Sequence, residues 1–282
     1  MTATIVVNSV EAMRREVAGW RSQGFKVGLV PTMGALHPGH ISLVEEARKY
    51  AQRVIVTIFV NPAQFGPSED FGKYPRTLEA DVEKLSEVSA DLCFAPTVEE
   101  IYPKGFSTRV EMDGPARAEL EDSFRPTHFS GVATIVAKLL NQAQADVAVF
   151  GEKDYQQLLV IKRLARDLDM TTKICGAPTL RETDGLAMSS RNVYLSAEER
   201  RIAPRLHAGL EETARRIKAG EALSPALESG RAALSEAGFA IDYFEVRHAD
   251  TLARVKSAQD GPLRLLVAAK LGATRLIDNL AV

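Results

Sequence analysis

Through the first two-thirds of the chain, short dense apolar runs alternate with longer stretches in which apolar residues recur at helical spacing. Phe25–Val30, Val54–Val60, Asp91–Ala95 and Asp146–Phe150 are too short for helices and too continuous for half-exposed strands, so they read as strands covered on both faces. Ile5–Val7 and Thr172–Cys175 are shorter strands at either end of this series. Between the runs, residues 40–51, Thr77–Val88, Phe129–Asn141 and Tyr155–Leu168 place their apolar side chains along one helical stripe. Ser9 can cap a helix reaching about Ser22, with Gly24 just past its end. Arg109–Met112 reads as an edge strand, and residues 61–76 as a long polar loop. Strands alternating with helices predict an α/β fold with a doubly wound parallel sheet.

The rhythm changes near Gly176-Ala-Pro178. A loop through Ser196 leads to two helical stretches, Ala197–Ala219 and Ser224–Glu236. Strand-like Ile241–Val246 and Leu263–Ala269 follow, then an amphipathic end, Ala273–Leu280. Helices followed by strands predict a smaller α+β C-terminal domain. The expected division is 1–176 and 177–282.

Composition narrows the class. The chain has 282 residues, 45% hydrophobic and 26% charged, with a net charge of −2, which gives no general attraction to nucleic acid or to an anionic membrane. No apolar run is long enough to span a bilayer, and Met1–Asn8 lacks the basic-then-apolar pattern of a signal peptide, so a cytoplasmic location is expected. Cys93 and Cys175 lie in strand-like runs without a Cys-x-x-Cys pair and are expected to be buried thiols of a reducing compartment.

Four segments could carry chemistry. In Pro31-Thr-Met-Gly-Ala-Leu-His37-Pro38-Gly39-His40, two histidines stand where a strand turns into a helix. The unpaired N–H groups of a helix N-terminus attract phosphate there, and imidazoles can stabilise charge building on phosphorus. A zinc site would need further ligands at suitable spacing, and His128, His207 and His248 form no such cluster. Gly151-Glu-Lys153-Asp154-Tyr-Gln-Gln157 follows the strand Asp146–Phe150: Lys153 can reach phosphate, Asp154 a ribose, and Gln157 would face the same crevice one turn on. Met188-Ser189-Ser190-Arg191-Asn192, past the domain boundary, combines hydroxyls and a guanidinium suited to clamping phosphate. Asn61-Pro-Ala-Gln64-Phe65 supplies neutral donors and acceptors for a small hydroxylated acid, and Gly66–Lys73 is a candidate gate. On these residues alone a nucleotidylyltransferase or a catalytically silent nucleotide-binding module stays open; an NAD-dependent oxidoreductase is disfavoured because no Gly-x-Gly-x-x-Gly follows the first strands.

Taken together and in this order, these segments and Tyr74-Pro-Arg-Thr77 resemble the pantothenate synthetase (pantoate–β-alanine ligase) family over essentially the whole chain, most closely from 28 to 196. The His-x-Gly-His element alone is shared with many nucleotidylyltransferases and class I aminoacyl-tRNA synthetases; the combination is far more specific. The resemblance implies a Rossmann-like N-terminal domain, a small C-terminal lid, and a homodimer. It implies ATP- and Mg²⁺-dependent condensation of pantoate with β-alanine through a pantoyl-adenylate, releasing AMP and pyrophosphate. By motif match, Met33, Gly34, Ala35, Leu36, His37, Pro38, Gly39 and His40 line the ATP site, with His40 in the role usually described as proton donor. Gly151, Glu152, Lys153, Asp154, Leu180, Met188, Ser189, Ser190 and Arg191 complete it. The catalytic assignments are His37, His40, Lys153, Ser189 and Arg191. Gln64 and Gln157 fall to the acid substrates by motif match, with Asn61 assigned to the same acid site from its own neutral amide, and the protein ligands of the metal stay unassigned. One departure is Arg125-Pro126-Thr127-His128-Phe129, where the family usually has glycine at the third place; threonine takes positive φ only at a cost. Glu245-Val-Arg-His248 also lacks an acidic residue expected after the C-terminal strand.

Overall fold

The computed structural model describes residues 3–67 and 69–282. Met1, Thr2 and Ser68, the last inside the segment read as a gate, lie outside the described residues.

Six strands form one parallel sheet: β1 (Ile5–Val7), β2 (Val27–Thr32), β3 (Arg53–Ile58), β4 (Leu92–Phe94), β5 (Val147–Gly151) and β6 (Lys173–Ala177). Their order is β1-β4-β3-β2-β5-β6. Growth of the sheet therefore reverses between β2 and β5, which pair directly through Gly28–Val147 and Leu29–Ala148. Ligands bind outside the carboxyl ends of strands at such a switch point. Here it lies between the turn after β2 and the turn after β5.

The apolar runs are continuous because both sheet faces are covered. Leu29, Ile55 and Ala148 pack with Met13, Trp20, Phe94, Leu140 and Ile161 on one face. Val30, Val54, Val56 and Val149 pack with Val44, Leu85 and Cys93 on the other. The C-terminal part is an antiparallel sheet, β7 (Ala240–His248), β8 (Leu263–Leu271) and β9 (Thr274–Ala281), in that order. Leu206, Leu210, Ile217 and Leu234 from helices Arg205–Lys218 and Leu223–Glu236 cover Phe244, Leu265 and Val267. The expected class, a Rossmann-like parallel sheet with a smaller α+β C-terminal domain, is the architecture found.

Several local expectations need correction. Residues 197–219 are not one helix: Ala197–Ile202 ends before Pro204, which lacks an N–H and stands at the cap of the next helix. Arg109–Met112 joins no sheet; the Val110 N–H donates instead to the Thr134 hydroxyl at 3.0 Å. The amphipathic end is strand β9, whose burial alternates from Thr274 to Asp278 before Asn279 is buried as well. Cys93 is buried but Cys175 is only half-buried. Thr127 has φ −99°, so its segment never needed a glycine.

Candidate active site

The turn after β2 is held from below by a residue the motif does not contain. Gly34 and Ala35 both have positive φ, 84° and 51°, and for alanine that conformation costs about 1–2 kcal/mol. Asp81, on helix Leu78–Glu87 and fully buried, offsets this by accepting the N–H groups of Ala35 and Leu36, each at 2.8 Å. The Thr77 hydroxyl donates to the same carboxylate at 3.2 Å, and the Lys84 ammonium donates to the Leu36 carbonyl at 2.7 Å. A charged residue four positions before the core residue Leu85, on the stripe that should be apolar, was the available signal. Of the stretch expected to line the ATP site, Met33, His37, Gly39 and His40 border the crevice. Gly34, Ala35, Leu36 and Pro38 do not; they build the turn, and Leu36 is a core residue.

The helix begins at Pro38, earlier than predicted, with His37 as its cap. The His37 Nδ1 accepts the Gly39 N–H at 3.1 Å, and the His40 Nδ1 accepts the His37 N–H at 3.3 Å. The rings lie 4.0 Å apart. A Cβ at residue 39 would come within 2.8 Å of the His37 ring, which is why glycine separates the pair. With both Nδ1 atoms accepting, each Nε2 carries its hydrogen. Burial, then the positive charges of Lys153 and Lys84, lowers the His37 pKa to about 4. Burial, then His37, Lys153 and Lys84, lowers that of His40 to about 3. At neutral pH the pair therefore presents two uncharged N–H donors.

The acid side is built around Gln64. Its Nε2 lies 3.1 Å from the Met33 sulfur, and its Oε1 accepts from the Asn61 amide at 3.0 Å. Asn61 is 1% exposed; its Nδ2 also donates to the Gly131 carbonyl, and its Oδ1 accepts from Tyr102 at 2.7 Å and from the Ala63 N–H. Asn61, expected to touch substrate, borders the crevice. Its amide is also bonded to Gln64, Gly131, Tyr102 and Ala63, so it holds the Gln64 side chain in place. Helix His128–Ala143 lies flush against this turn: a Cβ on Gly131 would stand 2.2 Å from the Ala63 carbonyl oxygen. The His128 Nδ1 bonds the Gln64 carbonyl at 3.0 Å, and Arg125 donates to the His128 Nε2 at 3.1 Å while gripping Glu69 with two bonds of 2.8 Å. Gln157 lines the same crevice, whereas Gln156 is buried against Glu121, Pro115 and Asp122.

Lys153 and Asp154 lie after β5, and neither forms an ion pair among the described residues. The Glu152 side chain does not border the crevice, contrary to expectation; it faces Arg264 at 3.4 Å. Pro178, Thr179, Leu180 and Met188 continue the wall. The Ser189 hydroxyl caps the short turn Ser190–Tyr194 by accepting the Arg191 N–H at 3.2 Å, and the Ser190 and Tyr74 hydroxyls stand 3.1 Å apart. Arg191 makes two bonds to Asp70, at 2.9 and 3.1 Å, tying the segment read as a gate to the residues read as a phosphate clamp. The crevice over β2 and β5 holds about 220 Å³. It meets a cleft of about 650 Å³ between the two sheets at Lys153, Asp154, Ser189 and Arg191. Only the two together suit a nucleotide beside a second substrate, with the cations at their junction. Among the described residues, no group of three or more His, Cys, Asp or Glu could hold a metal ion.

The sequence profile of the family described as pantoate-beta-alanine ligase matches residues 5–281. The pantothenate synthetase of Rhodopseudomonas palustris is 57% identical over 278 residues, 99% of this chain and 98% of that protein. That of Bradyrhizobium sp. is 57% identical over 277 residues, 98% of each. The crystal structure of pantothenate synthetase from Thermus thermophilus superposes with a TM-score of 0.93 at 47% identity, covering 98% of this chain and 99% of that one. The pantoate-beta-alanine ligase of Francisella tularensis, solved with beta-gamma ATP and beta-alanine, superposes with a TM-score of 0.84 at 35% identity, covering 99% of this chain and 98% of that one. With its crevice at the switch point and these relatives along its whole length, the chain belongs to the pantoate-beta-alanine ligase family and joins pantoate to β-alanine at the expense of ATP.

Proposed function

We propose that both halves of this ligation occur in the one crevice at the β2–β5 switch point. The pantoate carboxylate attacks the α-phosphorus of ATP and pyrophosphate leaves; the β-alanine amine then attacks the pantoyl-adenylate and AMP leaves. No protein nucleophile is required, because the adenylate is itself the activated acid. The observation that carries this reading is the neutral histidine pair at a helix start, set opposite Lys153 and flanked by Gln64 and Gln157. His37 and His40 donate hydrogen bonds through Nε2 to the phosphate in flight, rather than a transferable proton. Lys153, Ser189, Ser190 and Arg191 stabilise the separating charges. Gln64 and Gln157 hold the acid without adding a competing carboxylate. Leu180 and Asp154 border the nucleoside end.

Mg²⁺ usually binds one or two carboxylates together with substrate phosphates and water. Asp154 is the acidic side chain that borders both the crevice and the cleft, so the donor set fits a magnesium ion travelling with ATP. Bound there, it would neutralise phosphate charge. In this reading residues 1–176 bind nucleotide and pantoate, residues 177–282 close over them, the enzyme works in the cytoplasm, and it is a homodimer, which light scattering would test.

Isotope exchange tests the order of steps. Labelled pyrophosphate should enter ATP when pantoate is present and β-alanine absent. Exchange that demands β-alanine would point to a concerted or amine-first route, and exchange without pantoate to an adenylyl-enzyme.

A further inference from the structure

The lysine assigned to the phosphates is fixed from the other domain. Asn279, on β9 and 3% exposed, donates through Nδ2 to two consecutive carbonyls, Glu152 at 2.9 Å and Lys153 at 2.8 Å. Arg264 on β8 donates to the Asn279 Oδ1 at 2.7 Å, which fixes the amide in the sense that points its two hydrogens at the loop. That guanidinium is held in turn over the Tyr155 ring, 4.1 Å from its centroid. The preceding residue, Asp278, takes two bonds of 2.6 and 2.9 Å from Arg181, beside Leu180. Adjacent residues of one strand thus grip both walls of the crevice.

We propose that Asn279 is a positioning residue for adenylation, setting the direction in which Lys153 leaves the loop. The inference rests on the assignment of Lys153 to the phosphates. Lys153 is half-buried, without an ion pair among the described residues, so its own side chain has no tether, and the loop backbone must supply the aim. Hydrogen bonds to the carbonyls on either side fix the two peptide planes that flank the Lys153 Cα, and a shift near 1 Å in a reacting group can cost about 10²-fold in rate.

The test is a double-mutant cycle in pantoate-dependent pyrophosphate–ATP exchange, using Lys153→Ala, Asn279→Ala and the pair. Lys153→Ala should lower the maximal exchange rate by about 10²–10³-fold. Asn279→Ala should lower it by about 10–100-fold, with the KM for pantoate unchanged and the protein still unfolding in one cooperative transition. In the Lys153→Ala background, removing Asn279 should cost less than about threefold more. Arg264→Met, which keeps the asparagine but frees its amide, should give a smaller loss of the same kind, and it reads out the proposal if Asn279→Ala does not fold. Losses that multiply in full, or a normal rate in Asn279→Ala with Lys153→Ala impaired, overturn the inference alone. A harmless Lys153→Ala overturns the assignment of Lys153 and the inference with it.

Discussion

His40 and His37 form one unit: the ring of the later residue accepts the backbone N–H of the earlier at 3.3 Å, while the earlier caps the helix that carries both. Each ring therefore spends its unprotonated nitrogen on the backbone and turns its N–H outward. A protonated ring could not accept these bonds, so the local fold and the neutral state support each other.

This has a consequence in pH. His37, His40 and His128 have folded pKa values lowered to about 4, about 3 and about 4, in each case first by burial. The unfolded chain, with histidines near 6.5, binds more protons below that value, so stability rises with pH through this range. The contribution is complete above about 6.5 and is lost as the pH falls toward the folded values. Denaturant melts should show stability declining from pH 7 to 5, and His40→Ala should flatten that decline while lowering turnover by about 10²–10³-fold. Ring protons of His37 or His40 titrating near 6.5 in the folded enzyme would refute the neutral pair.

Asp81→Asn should damage a site it never touches. One amide hydrogen would face backbone N–H groups that now donate to a carboxylate, at a cost of about 1–3 kcal/mol in stability. The turn carrying His37 should loosen, and turnover should fall about tenfold or more with little change in the KM for pantoate. Full activity in a variant destabilised to this degree would show that the histidines hold their place without it.

If Gln157 holds the acid as proposed, Gln157→Glu sets a carboxylate beside a carboxylate substrate in a crevice partly closed to water. Pantoate affinity should fall at least tenfold, about 1.4 kcal/mol, while ATP affinity changes little. Calorimetric titration of each ligand separates the two. Equal losses would assign Gln157 to the fold.

Asp70→Asn should release Arg191, which Asp70 now holds with two bonds. If phosphate competes with Asp70 for that guanidinium, the variant should bind ATP more tightly by a few-fold, on the scale of a partly exposed ion pair, about 0.2–1 kcal/mol. Amide exchange in the 69–73 segment should speed up without ligand. Weaker ATP binding would mean that the ion pair organises the clamp rather than competing with substrate.

The layered architecture, and many of the residues that line the crevice, follow from residue order alone. Continuous apolar runs between amphipathic stretches can be buried only as parallel strands under helices, and a histidine pair between strand and helix announces a phosphate-binding turn. Contacts between residues distant in the chain emerge only once the elements are packed. The apolar stripe of Leu78–Glu87 said nothing of Asp81 reaching back to Ala35, because that bond depends on how two elements meet. Composition suggested Asn61 for the acid site but not its bonds to the Gly131 carbonyl and the Tyr102 hydroxyl, which only helix packing brings to it. Nothing local to Lys153 revealed that Asn279, more than a hundred residues on, holds its peptide. Periodicity reports which face of an element is buried; which polar group meets it there is settled by the three-dimensional arrangement of the elements.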